Sequence, residues 1–183
     1  MSESKPPHLL LHVCCGPCAT SSVERLQEEG RVTLFYSNSN IWPSEEYEKR
    51  LVEVRRLGEM TDCDLVVDTY DHEAWLDRIR GLEGEPEKGA RCLRCFEFSL
   101  ARAVQHACAN GFDGLATTLT VSPHKRSADL FRIGQALWDR FLAIDFKKQN
   151  GFARSLELCR QYGMYRQSYC GCEFSMRREP SRE

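Results

Sequence analysis

Three thiols fall within five residues, at Cys14-Cys15-Gly16-Pro17-Cys18, and no other stretch restricts the chain as much. They follow the apolar run Leu9-Leu10-Leu11-His12-Val13. They precede a segment with Val23 and Leu26 on one side and Glu24, Arg25, Gln27, Glu28 and Glu29 on the other. That is the pattern of a buried strand turning into an amphipathic helix. In an open α/β sheet such a turn lies on the rim where ligands bind. The helix N-terminus there presents backbone N–H groups and favours thiolate over thiol. Two adjacent residues cannot both face one core, so packing does not account for Cys14 beside Cys15. Neither G-x-G-x-x-G nor G-x-x-x-x-G-K-[ST] occurs. The turn that holds phosphate in nucleotide enzymes holds sulfur here, which argues against an ATP or NAD site in this chain.

Strand and helix patterns alternate along the sequence. Strands are predicted at about His8–Val13, Val32–Tyr36, Asp64–Tyr70, Leu115–Leu119 and Phe141–Ile144. Helices are predicted at about Cys18–Glu29, from an N-cap at Ser44 to Met60, from a cap at Asp71 through Ile79, and at Ala90–Asn110, Ser127–Trp138 and Phe152–Tyr162. Gly81–Gly89 is a Gly/Glu/Pro-rich loop, and the tail around Tyr165–Cys172 is irregular. The alternation predicts one domain over 1–183, built as a three-layer, doubly wound, mostly parallel five-stranded α/β sheet. Residues 1–7 and 177–183 are polar and read as disordered tails. Met1–Pro7 has no basic-then-apolar leader pattern, so no signal peptide is expected. No apolar run approaches the roughly 20 residues of a membrane span. A cytoplasmic protein is the expectation.

Ten cysteines in such a chain should be reduced, so metal or redox chemistry is favoured over a disulfide framework. Seven form three groups: Cys14, Cys15 and Cys18; Cys92 and Cys95; Cys170 and Cys172. Cys63, Cys108 and Cys159 stand alone and read as small buried hydrophobes. The groups lie about 75 residues apart, too far for a compact zinc ribbon. Seven thiols also exceed the four that one structural zinc or one iron–sulfur cluster takes. The surplus points to a second metal or a redox-active pair. Asp145 opens the loop after the fifth predicted strand, where a carboxylate can ligate a metal or move a proton, or pair with Lys147 or Lys148.

The net charge of −2 hides an asymmetry: residues 1–119 carry 13 Lys and Arg against 20 Asp and Glu, and residues 120–183 carry 12 against 7. A basic end on an acidic body holds a polyanion locally. His124, Lys125, Arg126, Lys147, Lys148, Arg154 and Arg166 supply cations near the rim. Tyr36, Trp42, Phe146, Tyr165 and Tyr169 supply aromatic faces, of which Trp42 and Tyr169 lie in loops. That combination suits an unstacked nucleotide of a single-stranded RNA loop.

The chain resembles the QueH-type epoxyqueuosine reductases. The resemblance is carried by Leu11-His12-Val13-Cys14-Cys15-Gly16-Pro17-Cys18, Asn38–Pro43 with Glu46-Tyr47, Arg91-Cys92-Leu93-Arg94-Cys95, Thr117–Lys125, Asp145–Lys148 with Asn150-Gly151, and Tyr165–Cys172. Gly16, Ser39 and Trp42 depart from the alanine, proline and histidine common in that pattern. The resemblance implies reduction of epoxyqueuosine at the wobble position of tRNA to queuosine, without cobalamin. It implies a Rossmann-like sheet of the HUP (adenine nucleotide α-hydrolase-like) kind without a nucleotide-binding loop. It further implies a [4Fe–4S] cluster held by a set drawn from Cys14, Cys15, Cys92, Cys95, Cys170 and Cys172. A neighbouring mononuclear iron, or zinc in its place in purified protein, would draw on the same cysteines, Cys18 and Asp145. His12, His124 and Asp145 would handle protons. Trp42, Lys125, Arg126, Lys147, Lys148, Arg166 and Tyr169 would meet a tRNA with a GUN anticodon (Asp, Asn, His or Tyr type), and an electron donor would complete the cycle. The rival expectations are a zinc-stabilised tRNA-binding module and a metal-free dithiol redox enzyme.

Overall fold

The computed structural model describes residues 5–176; of the tails expected at 1–7 and 177–183, residues 1–4 and 177–183 lie outside the described residues. Four parallel strands, β1 (His8–His12), β2 (Arg31–Tyr36), β3 (Asp64–Val67) and β4 (Gly114–Thr117), form one sheet in the order β3-β2-β1-β4. The chain runs outward from β1 through β2 to β3 and then returns to β1's other flank as β4. The order therefore reverses between β1 and β4, the place where open α/β sheets bind ligands.

Side chains alternate across the sheet, as a period of two requires. Leu9, Leu11 and Val13 join Val32, Leu34 and Tyr36 in one core layer. That layer includes residues of helices α1 (Gly16–Gln27), α2 (Ser44–Thr61) and α6 (Gly151–Gln161). Leu10, Phe35 and Leu115 face the other layer, under α4 (Ala90–Ala109) and α5 (Ser127–Leu137). The short α3 (His72–Ile79) packs on α4 and buries Trp75 and Ile79 beside Cys172. The three-layer α/β architecture is the expected one. Among the described residues, no helix is long and apolar enough to cross a membrane.

The sheet has four strands, not five. The segment predicted as a fifth strand over Phe141–Ile144 touches β4 through a single bridge, Leu115 to Phe141. Leu115 N–H donates to Arg140 O and Leu142 N–H donates to Leu115 O. Ile144 N–H then turns back to Leu142 O, closing a tight turn before a second pair can form. On the other side, β4 winds into a 3-10 turn at Thr118–Val121. Thr120 Oγ1 donates to Ile144 O and accepts from Phe146 N–H, so the segment is held by a side chain instead of a ladder.

Two smaller expectations also change. Pro43, not Ser44, occupies the cap position of α2, and Ser44 makes no capping bond because it already lies in the first turn. Cys108 is exposed on α4, whereas Cys63 and Cys159 are buried. The cap at Asp71 holds, with its carboxylate accepting from Ala74 N–H at 2.9 Å. Asp71→Ala is expected to cost about 1 kcal/mol. That appears as a fall of roughly 2–4 °C in melting temperature for a chain of this size. A wild-type melting temperature would show that the cap contributes nothing.

Candidate metal centre

The cysteine turn sits where the strand order reverses. Cys15 is the cap residue of α1, with Pro17 in the first turn, so α1 begins immediately after β1. A Cβ on residue 16 would stand 2.8 Å from Glu53 Cβ and 2.9 Å from Glu53 O, so the glycine lets α1 start hard against α2. Of the two adjacent cysteines, Cys14 packs toward the α4 and α5 layer, while Cys15 is fully buried. Cys18 packs toward the α1, α2 and α6 layer.

The Sγ atoms of Cys14, Cys15 and Cys18 nevertheless all lie within 4.8 Å of one another. Cys14 Sγ and Cys15 Sγ are 3.8 Å apart. Two thiolates about 2.3 Å from one ion at a tetrahedral angle stand about 3.8 Å apart. This pair therefore fits a shared ion. Hydrogen bonds from the Cys15 and Cys18 thiols hold the Cys14 thiol well below its usual range, against its burial, with Lys125 and Thr118 assisting. The same contacts raise the other two, pushing Cys15 up to about 12 and Cys18 well above normal. The three thiols thus carry one negative charge readily and resist more. A bound cation removes that resistance, since it supplies the opposite charge to every ligand at once.

Four further thiols approach from two other elements. Cys92 and Cys95 lie in the first two turns of α4, one turn apart and hence on one face. Cys170 and Cys172 sit on the irregular C-terminal segment, separated by Gly171. Burial raises Cys92, Cys95 and Cys172, with the Cys170 sulfur adding to each. Six of the seven clustered cysteines (Cys14, Cys18, Cys92, Cys95, Cys170 and Cys172) line one cavity of about 660 Å³. Cys15 lies behind the wall.

The sulfurs are supplied with donors. Thr118 Oγ1 lies 3.4 Å from Cys14 Sγ, Gln167 Nε2 lies 3.1 Å from Cys15 Sγ, and Lys88 N–H lies 3.3 Å from Cys92 Sγ. Lys125 lies close enough to the Cys170 sulfur to be affected by its charge. Burial works against the charge on Lys125, but the Cys170, Cys14 and Cys18 sulfurs outweigh it and raise its pKa. Donors aimed at sulfur stabilise the deprotonated, metal-binding form.

The other predicted site residues divide. His12, His124, Lys125, Arg126, Arg166 and Tyr169 line the cavity. His12 is buried, and its burial keeps the imidazole neutral-favouring with a lowered pKa. Both ring nitrogens are committed: Nε2 faces Ser37 O at 3.2 Å and Nδ1 faces Thr117 Oγ1 at 2.9 Å. A carbonyl only accepts, so Nε2 carries the proton and Nδ1 accepts from Thr117. Trp42 is exposed and does not line the cavity, and its backbone N–H donates to Gly171 O. Lys148 is exposed and Lys147 is turned inward. Lys147 Nζ bonds Ser127 Oγ and Lys125 O and stands 3.4 Å from Asp145 Oδ1. Asp145 does not line the cavity; its Oδ1 is buried without a hydrogen-bond partner and is faced by the Lys147 ammonium. Tyr36 and Phe146 belong to the core.

Three residues outside the predicted set shape the site. Arg91 is buried and donates to Glu83 O and Glu85 O, fastening the loop before α4. Its guanidinium lies over Phe174, and among the described residues it has no carboxylate partner. Thr118 and Gln167 donate to sulfur. All three lie within the segments that carry the family resemblance, but residue type and spacing alone do not reveal their roles, because each acquires its partner from more than 75 positions away or from an irregular loop.

The family model described as "Epoxyqueuosine reductase QueH" matches residues 9–178. A protein of that name from Streptococcus pyogenes serotype M1 is 38% identical, over 94% of this chain and 72% of the relative. Its namesake from Acinetobacter baylyi is 35% identical, over 92% of this chain and 80% of the relative. One from Thermotoga maritima is 31% identical, over 96% and 94%.

Proposed function

Because the chain belongs to the epoxyqueuosine reductase QueH family, we propose that it is the oxidoreductase that converts epoxyqueuosine in tRNA to queuosine. The reaction removes the epoxide oxygen as water: two electrons and two protons enter, two C–O bonds break and an alkene remains. The observation that carries the reading is the convergence of six cysteines from three distant parts of the chain on one cavity at the reversal point of the sheet. That donor set fits a sulfur-ligated metal group far better than a nucleotide.

The finer reading is a [4Fe–4S] cluster with a neighbouring iron, held by ligands drawn from Cys14, Cys15, Cys18, Cys92, Cys95, Cys170, Cys172 and Asp145. When bound, such a group supplies single electrons and a Lewis-acid position for the epoxide oxygen. The chain's own residues do the rest. Lys125 places a positive charge at the cavity wall beside the sulfurs, suited to stabilising negative charge on them or on an oxygen bound there. His124 is exposed at the mouth, within a wall that also carries Arg126 and Arg166, and is suited to passing protons from water. Arg126, Arg166 and Lys148 hold the phosphates, and Trp42 and Tyr169 stack against the extruded nucleotide. His12, with both nitrogens engaged, holds the β1 end in place beside Thr117. The substrate class is a tRNA with a GUN anticodon, and a cytoplasmic reductant supplies the electrons.

Anaerobic turnover of epoxyqueuosine-containing tRNA with a chemical reductant, followed by nucleoside analysis, tests this reading. Queuosine is the expected product, from brown protein with a broad visible band. Colourless protein with stoichiometric zinc and no turnover, after anaerobic reconstitution, would replace it with a zinc-stabilised tRNA-binding module. Turnover by metal-free protein would replace it with a dithiol mechanism.

A further inference from the structure

Cys170 and Cys172 reach the cavity on a segment that belongs to no strand or long helix. Irregular backbone at a metal site needs an external brace, since ligands must be held to a few tenths of an ångström to be productive. We infer that Arg50, charge-balanced by Glu46, is the positioning residue that braces this segment. The inference rests on the reading of Cys170 and Cys172 as site residues.

Arg50 projects from α2 and is only 2% exposed. Its Nη1 donates to Cys170 O at 3.0 Å and its Nη2 to Tyr169 O at 3.2 Å. Its Nε donates to Glu46 Oε1 at 2.7 Å, and its guanidinium lies 5.3 Å from the Tyr169 ring centroid. The remaining Glu46 oxygen accepts from Tyr165 Oη at 2.8 Å. One buried ion pair on α2 therefore grips the segment at residues 165, 169 and 170. A buried pair of this kind is a poor way to gain stability, because desolvation offsets most of its attraction. What the planar, forked guanidinium supplies is geometry: two adjacent carbonyls are held at once, beside two cysteines.

Gly171 shows how closely the brace fits. Its φ is +145°, and a Cβ there would stand 3.1 Å from Asn40 Nδ2 and 3.3 Å from Arg50 Nη1. A methyl there would press on the arginine and would sit on a backbone conformation that side chains rarely adopt. Gly171 O is also held, by Trp42 N–H at 2.9 Å. The brace thus acts from both sides of the residue that separates the two cysteines.

The test uses metal-free, reduced full-length protein, alkylated with iodoacetamide and mapped cysteine by cysteine by mass spectrometry. In Arg50→Met, buried Cys172 is expected to alkylate at least about tenfold faster, a local opening. Cys63 and Cys159, buried elsewhere, should keep their wild-type rates. Arg50→Lys, which can hold one carbonyl but not two, should fall between. Gly171→Ala should reproduce the pattern from the opposite side, which keeps the test independent of any folding defect in the arginine variant. An unchanged Cys172 rate in both variants, or equal acceleration of Cys63 and Cys159, would overturn the inference. Iron reconstitution of the same variants separates it from the reading it rests on. Lower iron content and a weaker visible band are expected. The expected alkylation pattern with wild-type iron would leave the brace standing and remove Cys170 and Cys172 from the metal set.

Discussion

Cys14→Ser is expected to lower iron content and to reduce turnover of epoxyqueuosine-containing tRNA by more than about 100-fold. Loss of a partner one shell outside a metal ligand already costs about 10–100-fold, and Cys14 is proposed as a ligand itself. Its sulfur is 3.8 Å from Cys15 Sγ, within 4.8 Å of Cys18 Sγ, and bonded to Thr118. It is also the member of the trio that ionises most readily, so serine, with a far weaker tendency to lose its proton, removes the group's native charge. Iron analysis and anaerobic turnover check the expectation, and Cys92→Ser, Cys95→Ser and Cys172→Ser should behave alike. Cys108→Ser is the control: that thiol is exposed on α4 and absent from the cavity wall, and its loss should change neither quantity. A Cys14→Ser protein with full iron and full activity would take Cys14 out of the site.

Gly151→Ala is expected to be the most damaging single-methyl change in the chain. A Cβ there would meet Phe146 O at 1.8 Å and Phe146 C at 3.0 Å, both backbone atoms that no side-chain rotation can move aside. The turn from Asp145 to Gly151 must open to admit it, breaking the bond from Gly151 N–H to Lys148 O. Gly151 O also accepts from Ser21 Oγ, so the disturbance passes into α1, which carries Cys18. Overpacking of this kind costs about 3 kcal/mol, or a fall of roughly 6–12 °C in melting temperature. Iron content should fall with it. Asp145→Asn gives the contrast, lowering iron content while leaving the melting temperature near wild type. If Gly151→Ala melts with the wild-type protein, the close approach of residues 146 and 151 is wrong. If Asp145→Asn binds iron fully, its carboxylate is not a ligand.

Much of the site was legible before the fold. The cysteine groups are local patterns, and a strand followed at once by CCGPC places thiols on a sheet rim by chain geometry alone. The strand-to-helix alternation gave the layers for the same reason: periods of two and 3.6 are written into which positions are apolar. The fifth strand was misread because its residues have strand character but Thr120 captures the Ile144 carbonyl before a ladder can form. Lys147 read as an RNA-facing cation because charge is visible in sequence, whereas its turn toward Asp145, Ser127 and the Lys125 carbonyl is not. Arg50 has no part in the sequence reading, and its burial with Glu46 comes only when the C-terminal segment closes over α2.

The sequence alone settles the α/β class, the position of the first three thiols at a strand-to-helix turn and the grouping of the other four into two close pairs, because each depends on residues within one or two turns of one another. Only the tertiary structure decides that three cysteine groups about 75 residues apart share one cavity, that Cys14 and Cys18 pack toward different core layers, and that the last two cysteines are held by a buried arginine. Those outcomes depend on the order of strands and on the closing of an irregular segment, which long-range packing determines and local pattern does not.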